Sequence, residues 1–574
     1  MLQGMPDAYH KRRLFMKELR QRQAGSVAGI FVFFMLVAVL VGMGVWMLAQ
    51  DGDGHQESAT DITQDSAPAS GAPVPPEAPL QGLPTLAPAA PYVPQGGVVD
   101  VDISEYAGYA GLVVANGGLE PNPDSIFARE YGFQVRLTLS EEEGWSKLNS
   151  GQVGASVTTA DVLAVLGRQF EVKVPAQIAF SRGANQVVVD QGITSINQLK
   201  GKVLAASQFN ESDFFIRYLA SEAGVPIRVL DDLDARPGAA ELGLVFYEDA
   251  VVACDAYAQV LEAGTGRLNG CVGWSPRTDQ VVAESRGLAK MLVSNRNLLV
   301  IADLLLVNKG FADSQPRMVE GLVHGLMEGN QQLRETPEAY LALVGRAFGW
   351  SEDETRDELG KVHFSNVPEN KAFFEGTIDS AGSYQGIFQS SVLAYGNLIR
   401  NPSDPARFVD LTALQALDAS GIYAGQSIAI APIKTHGRVA IEGDALLSKD
   451  IRFFFNPNSA VLDARASENQ AFLDDIKRFL QVSPGSMVLL RGHVDDQSVP
   501  EFERQGGPAL VRAMAMKAME LSRQRTQAVA DALLERHPDI ERDRIELVGR
   551  GWEEPVGSNS DLNRRVEVQW FTLE

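Results

Sequence analysis

The chain has 574 residues, with 50 Lys and Arg against 73 Asp and Glu and a formal net charge of −23. That excess of negative charge excludes nucleic acid and anionic lipid surfaces as partners held by charge attraction. The length calls for several domains, and the two cysteines, Cys254 and Cys271, leave either one disulfide or two buried thiols.

Residues 1–23 form a basic tail with Lys11, Arg12, Arg13, Lys17, Arg20 and Arg22. Residues 24–49, Ala24 to Ala49, carry no charge and are long enough for a transmembrane helix at 1.5 Å per residue. Asp51, Asp53 and Glu57 follow. By the positive-inside rule the tail stays cytoplasmic and the rest is exported, so the span reads as an uncleaved inner-membrane anchor. Residues 50–97 are a Pro/Ala-rich linker with nine prolines between Pro68 and Pro94. Such a composition buries too little apolar surface to fold alone. As polyproline II it reaches on the order of 100 Å.

From 98 to 417 short apolar strands alternate with amphipathic helices, which predicts an α/β region too large for one core. Gly111–Gly118 reads as a strand entering a glycine turn, and Gly154–Asp161 repeats that pattern. Arg182 and Arg277 read as surface residues. Residues 418–438 form a connector rich in Ala, Gly and Ser. From 439 to 574 the order is strand, helix, strand, helix, strand, with strands at Ile451–Phe455, Met487–Leu490 and Arg565–Phe571.

Ser181-Arg182-Gly183-Ala184-Asn185, then Ile193-Thr194-Ser195 and Gln198-Leu199-Lys200-Gly201-Lys202, then Gly273-Trp274-Ser275-Pro276 resemble the periplasmic substrate-binding proteins of nitrate, sulfonate, taurine and bicarbonate transporters. The resemblance implies a type II two-lobed clamp with its ligand in the cleft and an ABC permease or signalling protein as onward partner. Chain crossings are expected near Asn185–Ile196 and Asn295–Asp303. For a small, anionic solute the donors would be hydroxyls, amides and helix N-termini. Asn116, Thr158, Thr159, Ser181, Asn185, Ser207 and Trp274 are the candidates. Each polar one is also a natural helix cap, and Trp274 equally suits a core or hinge.

Gly492-His493-Val494-Asp495, Leu521-Ser522-Arg523-Gln524-Arg525 and Asn563-Arg564-Arg565-Val566-Glu567 resemble, in that order, the OmpA-like peptidoglycan-binding family. That implies a βαβαβ sandwich in which Asp495 and Arg525 hold the amine and carboxylate of a diaminopimelate stem peptide, with Asn563 and Arg565 lining the pocket. A structural ion-pair network is the competing account of those charges. Pro500–Met519 is longer than the family pattern and reads as a loop able to cap the pocket. The seven histidines are scattered, and neither H-E-x-x-H, a P-loop nor G-x-S-x-G occurs. No cofactor, no metal and no catalysis are therefore expected. The function predicted is solute capture or sensing between inner membrane and wall. The rival is a structural tether whose clamp no longer binds a solute.

Overall fold

The computed structural model describes residues 75–571, apart from 141–142, 297, 378–381, 431–445, 452, 454, 456–458, 464–465, 483–485 and 558–562. The expected membrane span lies outside the described residues. Among those described, no helix is long and apolar enough to cross a membrane.

Strands β1 (Val98–Ile103), β2 (Gln134–Leu139), β3 (Ala155–Thr159) and β4 (Val172–Ser181) come first. They are followed by β5 (Asn185–Asp190), β6 (Val203–Ser207), β7 (Ile227–Val229), β8 (Leu242–Tyr247), β9 (Gly270–Trp274) and β10 (Ala289–Ser294). Then come β11 (Ala302–Asn308) and β12 (Val362–Phe364). Two six-stranded sheets result, β12-β4-β11-β3-β1-β2 and β10-β5-β9-β6-β8-β7. Central strands such as β3, β6 and β11 are buried along their whole length, as expected for mostly apolar strands covered on both faces.

Each sheet is a lobe, and the strand connections Ser181–Asn185 and Ser294–Ala302 cross from one to the other. Asn295 ties the crossings together. Its Oδ1 accepts from the Gly183 and Asn185 amides at 2.8 and 3.2 Å, and its Nδ2 donates to Ser181 O at 3.0 Å. The second crossing falls where expected. The first lies before Asn185–Ile196, because Asn185 already begins β5 in the second lobe.

Gly111–Gly118 is not a strand: Ala110–Asn116 is a helix, buried at every position. A short, uniformly apolar run does not reveal its period. The burial comes from the helix Pro316–Glu335, where a Cβ on Gly329 would stand 1.9 Å from Gly111 O. Residues 75–97 also correct the linker reading. They lie along both lobes, with Glu77 N bonded to Phe246 O at 2.8 Å and Leu80 N to Gln208 Oε1 at 2.9 Å on the second. On the first, Tyr92 N donates to Asn308 Oδ1 at 3.1 Å, and Asn308 Nδ2 donates to Ala90 O at 2.9 Å. An extended proline-rich segment cannot satisfy its own amides, so it is ordered by acceptors on the lobes.

Cys254 and Cys271 form a disulfide joining the helix Ala250–Ala263 to β9. The C-terminal domain is a four-stranded sheet, β13 (Leu447–Ile451), β14 (Met487–Gly492), β15 (Ile545–Gly549) and β16 (Val566–Phe571), ordered β13-β16-β14-β15. Its first strand thus sits earlier than Ile451–Phe455. Helices Glu468–Val482 and Val499–Arg536 cover it, with Phe479 stacked on Trp570 at 5.6 Å. Pro500–Met519 is helix rather than loop, broken only at Gly507. The domain rests on the second lobe, where Ser448 N donates to Asn197 Oδ1 at 2.8 Å and Arg478 pairs with Glu222 at 3.0 Å.

Candidate functional site

A cavity opens between the lobes beside the crossings. It is lined by Ser104, Tyr106, Tyr109, Trp145, Val157, Thr158, Thr159, Asn185, Asn210, Glu211, Trp274, Ile301 and Asp303. Thr158 and Thr159 arrive at the end of β3, and Asp303 faces them from the neighbouring strand, in register with Thr159. Trp274 ends β9 and comes from the other lobe. About 50 Å³ is open to the centres of water-sized molecules, room for a small head group.

Asp303 is 1% exposed. Its Oδ1 accepts from Tyr109 Oη at 3.2 Å. Among the described residues, Asp303 Oδ2 and Thr158 Oγ1 have no hydrogen-bond partner. Burial pushes the Asp303 carboxyl well up; the Tyr109 hydrogen bond opposes this and the charge of Asp161 adds to it. Asp161, in the first turn of the helix after β3, is pushed up to about 7 by burial, against the Thr159 hydroxyl and with the help of Asp213.

The candidates divide. Thr158, Thr159, Asn185 and Trp274 line the cavity. Ser181 does not; its Oγ donates to Asn185 Oδ1 at 2.7 Å, within the first crossing. Asn116 ends its helix by donating to Gly118 O and Glu120 O at 2.9 and 3.0 Å. Ser207 ends β6, buried and away from the lining. Arg182 and Arg277 are not surface residues: Arg182 is buried and donates to Arg296 O at 2.8 Å, and Arg277 pairs with Asp255 at 2.7 Å. Tyr106, Tyr109, Trp145, Glu211 and Asp303 were missed. A tyrosine pair three apart, Tyr106 and Tyr109, was the available signal, but nothing local links it to an aspartate almost two hundred residues on.

In the C-terminal domain, a Cβ at Gly492 would stand 2.3 Å from Ser522 O, so β14 can pack on the helix Val499–Arg536 only with glycine there. Ser522 Oγ in turn accepts from Gly551 N at 3.0 Å. Asp495 lies 3.4 Å from Arg564. Arg525 donates to Ser459 O at 3.2 Å and lies 5.1 Å over the Phe455 ring. Burial lowers its pKa, as does the charge of Arg564, while Asp495 opposes both. Asp495 and Arg525 are therefore close enough to feel each other's charge. Asn563 and Arg565 have other work. Asn563 accepts from Val556 N at 2.9 Å and donates to Gly557 O at 2.8 Å. Arg565 is buried 3.5 Å from Glu567. Arg564, 44% exposed in its side chain, is the basic group beside Asp495.

Two lobes with a polar cavity between them make an α/β clamp. Residues 454–569 match the OmpA family, so the C-terminal domain is an OmpA family domain. No curated protein matches the chain. Among solved structures, the chain is similar to the periplasmic aliphatic sulphonate binding protein SsuA from Escherichia coli, with 13% identity over 60% of this chain and 97% of that one, TM-score 0.41. It is also similar to the periplasmic nitrate-binding protein NrtA from Synechocystis PCC 6803, with 12% identity over 58% and 90%, TM-score 0.41. A third is the ligand binding component of an ABC-type import system from Staphylococcus aureus, with 13% identity over 55% and 98%, TM-score 0.41.

Proposed function

We propose that this chain is a cell-envelope protein that binds a small solute between its lobes and attaches without covalent bonds to peptidoglycan. The observation that carries the first half is the cavity at the crossings, with Asp303 Oδ2 and Thr158 Oγ1 buried and unmatched. Buried polar atoms without partners are costly, and a bound solute would supply the partners. Hinge motion at Ser181–Asn185 and Ser294–Ala302 would admit it. For the second half, Asp495 and Arg525 offer opposite charges close enough to interact, which suits the zwitterionic end of diaminopimelate. The basic tail and apolar run before residue 50 support an inner-membrane anchor, with capture or sensing passed to an ABC permease or signalling protein.

The small cavity, crowded by Trp145, Trp274, Tyr106 and Tyr109, also favours a second reading, an envelope tether with a closed clamp. One pair of measurements on the full chain separates these. Co-sedimentation with purified sacculi tests the wall contact, and a thermal-shift screen of small solutes tests the cleft, since a ligand of the folded state raises its apparent stability. Sacculi binding without any solute response leaves the tether.

A further inference from the structure

We propose that the cleft takes a small organic cation, an amine or quaternary ammonium head group held between Asp303 and the rings of Tyr106, Tyr109, Trp145 and Trp274, and not an anion. This rests on the reading that the cleft binds a solute at all.

Three observations carry it. First, no lysine, arginine or histidine is among the described residues lining the cavity, whereas Asp303 and Glu211 are. Second, the positions where helix N-termini would meet an anion are taken by the chain's own acids. Asp161 stands in the first turn after β3, and Glu211 and Asp213 stand in the first turn of the helix Glu211–Glu222. Asp213 is already paired with Arg217 at 2.6 Å. These acids stand where an anion would have to meet the helix ends, and of the three Glu211 lines the cavity itself. Third, the Asp303 carboxylate is 1% exposed with Oδ2 unmatched, and Thr158 Oγ1 on the same cavity wall is unmatched as well.

The electrostatics agree. Burial holds the Asp303 pKa up, and a cation bound beside Oδ2 would favour its ionised form. An anion would add to that penalty, whereas a cation would relieve it. Four aromatic residues line the cavity together with that carboxyl; aromatic faces bind ammonium groups by cation–π attraction, and the Thr158 hydroxyl can accept from an N–H donor. This departs from the anionic solute expected from the resemblance to sulfonate and nitrate binders.

The test is titration of the full-length chain by calorimetry and thermal shift with tetramethylammonium, ethylammonium and putrescine, and in parallel with phosphate, nitrate and methanesulfonate. The expected result is stabilisation by at least one cation and by none of the anions. Asp303→Asn should weaken that cation at least tenfold, and Trp274→Leu several-fold. Trp274 is the second variant in case the aspartate change unfolds the protein. Stabilisation by an anion, lost in Thr158→Val, would overturn the cation assignment and leave solute binding standing. A cation response unchanged in both Asp303→Asn and Trp274→Leu would place binding elsewhere and overturn the proposal. No response to either class would remove the solute-binding reading together with it.

Discussion

Tyr109 Oη donates to Asp303 Oδ1 at 3.2 Å, joining residues 194 positions apart on one wall of the cleft. Both groups are buried. The bond satisfies one carboxyl oxygen and leaves the other for a ligand. Tyr109→Phe removes the donor and strands the acceptor, which costs about 1–3 kcal/mol. A urea titration should show a lower midpoint with an unchanged slope.

The acids behind the cleft make stability depend on pH. Burial raises Asp161 to about 7 in the folded chain, and Thr159, Asp213 and Asp303 are its polar neighbours. A raised carboxyl favours the fold while protonated. Its contribution is complete below the unfolded pKa and is lost as pH rises through about 7. The loss amounts to about 4 kcal/mol by pH 8. Asp161→Asn should flatten the fall in unfolding free energy between about pH 4 and 8. Asp303 acts in the same direction, so part of the slope should persist. Glu369 acts oppositely in a separate window. Burial alone would raise it, but His363, the Ala429 amide and Arg334 hold it at about 2. Its contribution is present above the unfolded pKa and fades as pH falls toward about 2.

If the C-terminal domain holds the wall as proposed, Asp495→Ala and Arg525→Ala should each weaken sedimentation with sacculi more than tenfold. Removing either leaves its partner unmatched in a partly desolvated pocket, a cost of about 2–5 kcal/mol. Asn563→Ala should act differently. Its side chain bonds the Val556 amide and the Gly557 carbonyl, so thermal unfolding of the domain should move first. Arg564→Ala, which removes an exposed group, should reduce wall binding without lowering the melting temperature. Equal sacculi binding by wild type, Asp495→Ala and Arg525→Ala, all folded, would sink this assignment.

Reduction of the Cys254–Cys271 bond, or the double change to serine, should lower stability by about 3 kcal/mol, the value for a loop of this length. Chemical denaturation with and without reductant measures it. Because the bond lies within the second lobe, the loss should appear there, and sacculi binding should persist.

The α/β character of the lobes and the OmpA family domain were legible in the sequence. Short-range patterns carry that information: the alternation of apolar strands and helices, the Ser181–Asn185 and Gly273–Pro276 segments, and the three C-terminal motifs with Gly492, Arg525 and Asn563. These patterns work because periodicity, turns and close glycine contacts are local properties. The Gly111 helix escaped them because a seven-residue run buried on all sides has no visible period. Residues 75–97 escaped because their order is supplied by Asn308, Gln208 and other acceptors far along the chain. The make-up of the cleft emerged only from the packing of the two lobes. Ser181 and Asn185 sit in the recognised motif, yet Ser181 serves the crossing, and the carboxylate on the cavity wall is Asp303, brought there by pairing of β11 with β3. Charge and desolvation depend on what lies within a few ångströms in space. For a site assembled from both lobes, no stretch of sequence holds that information.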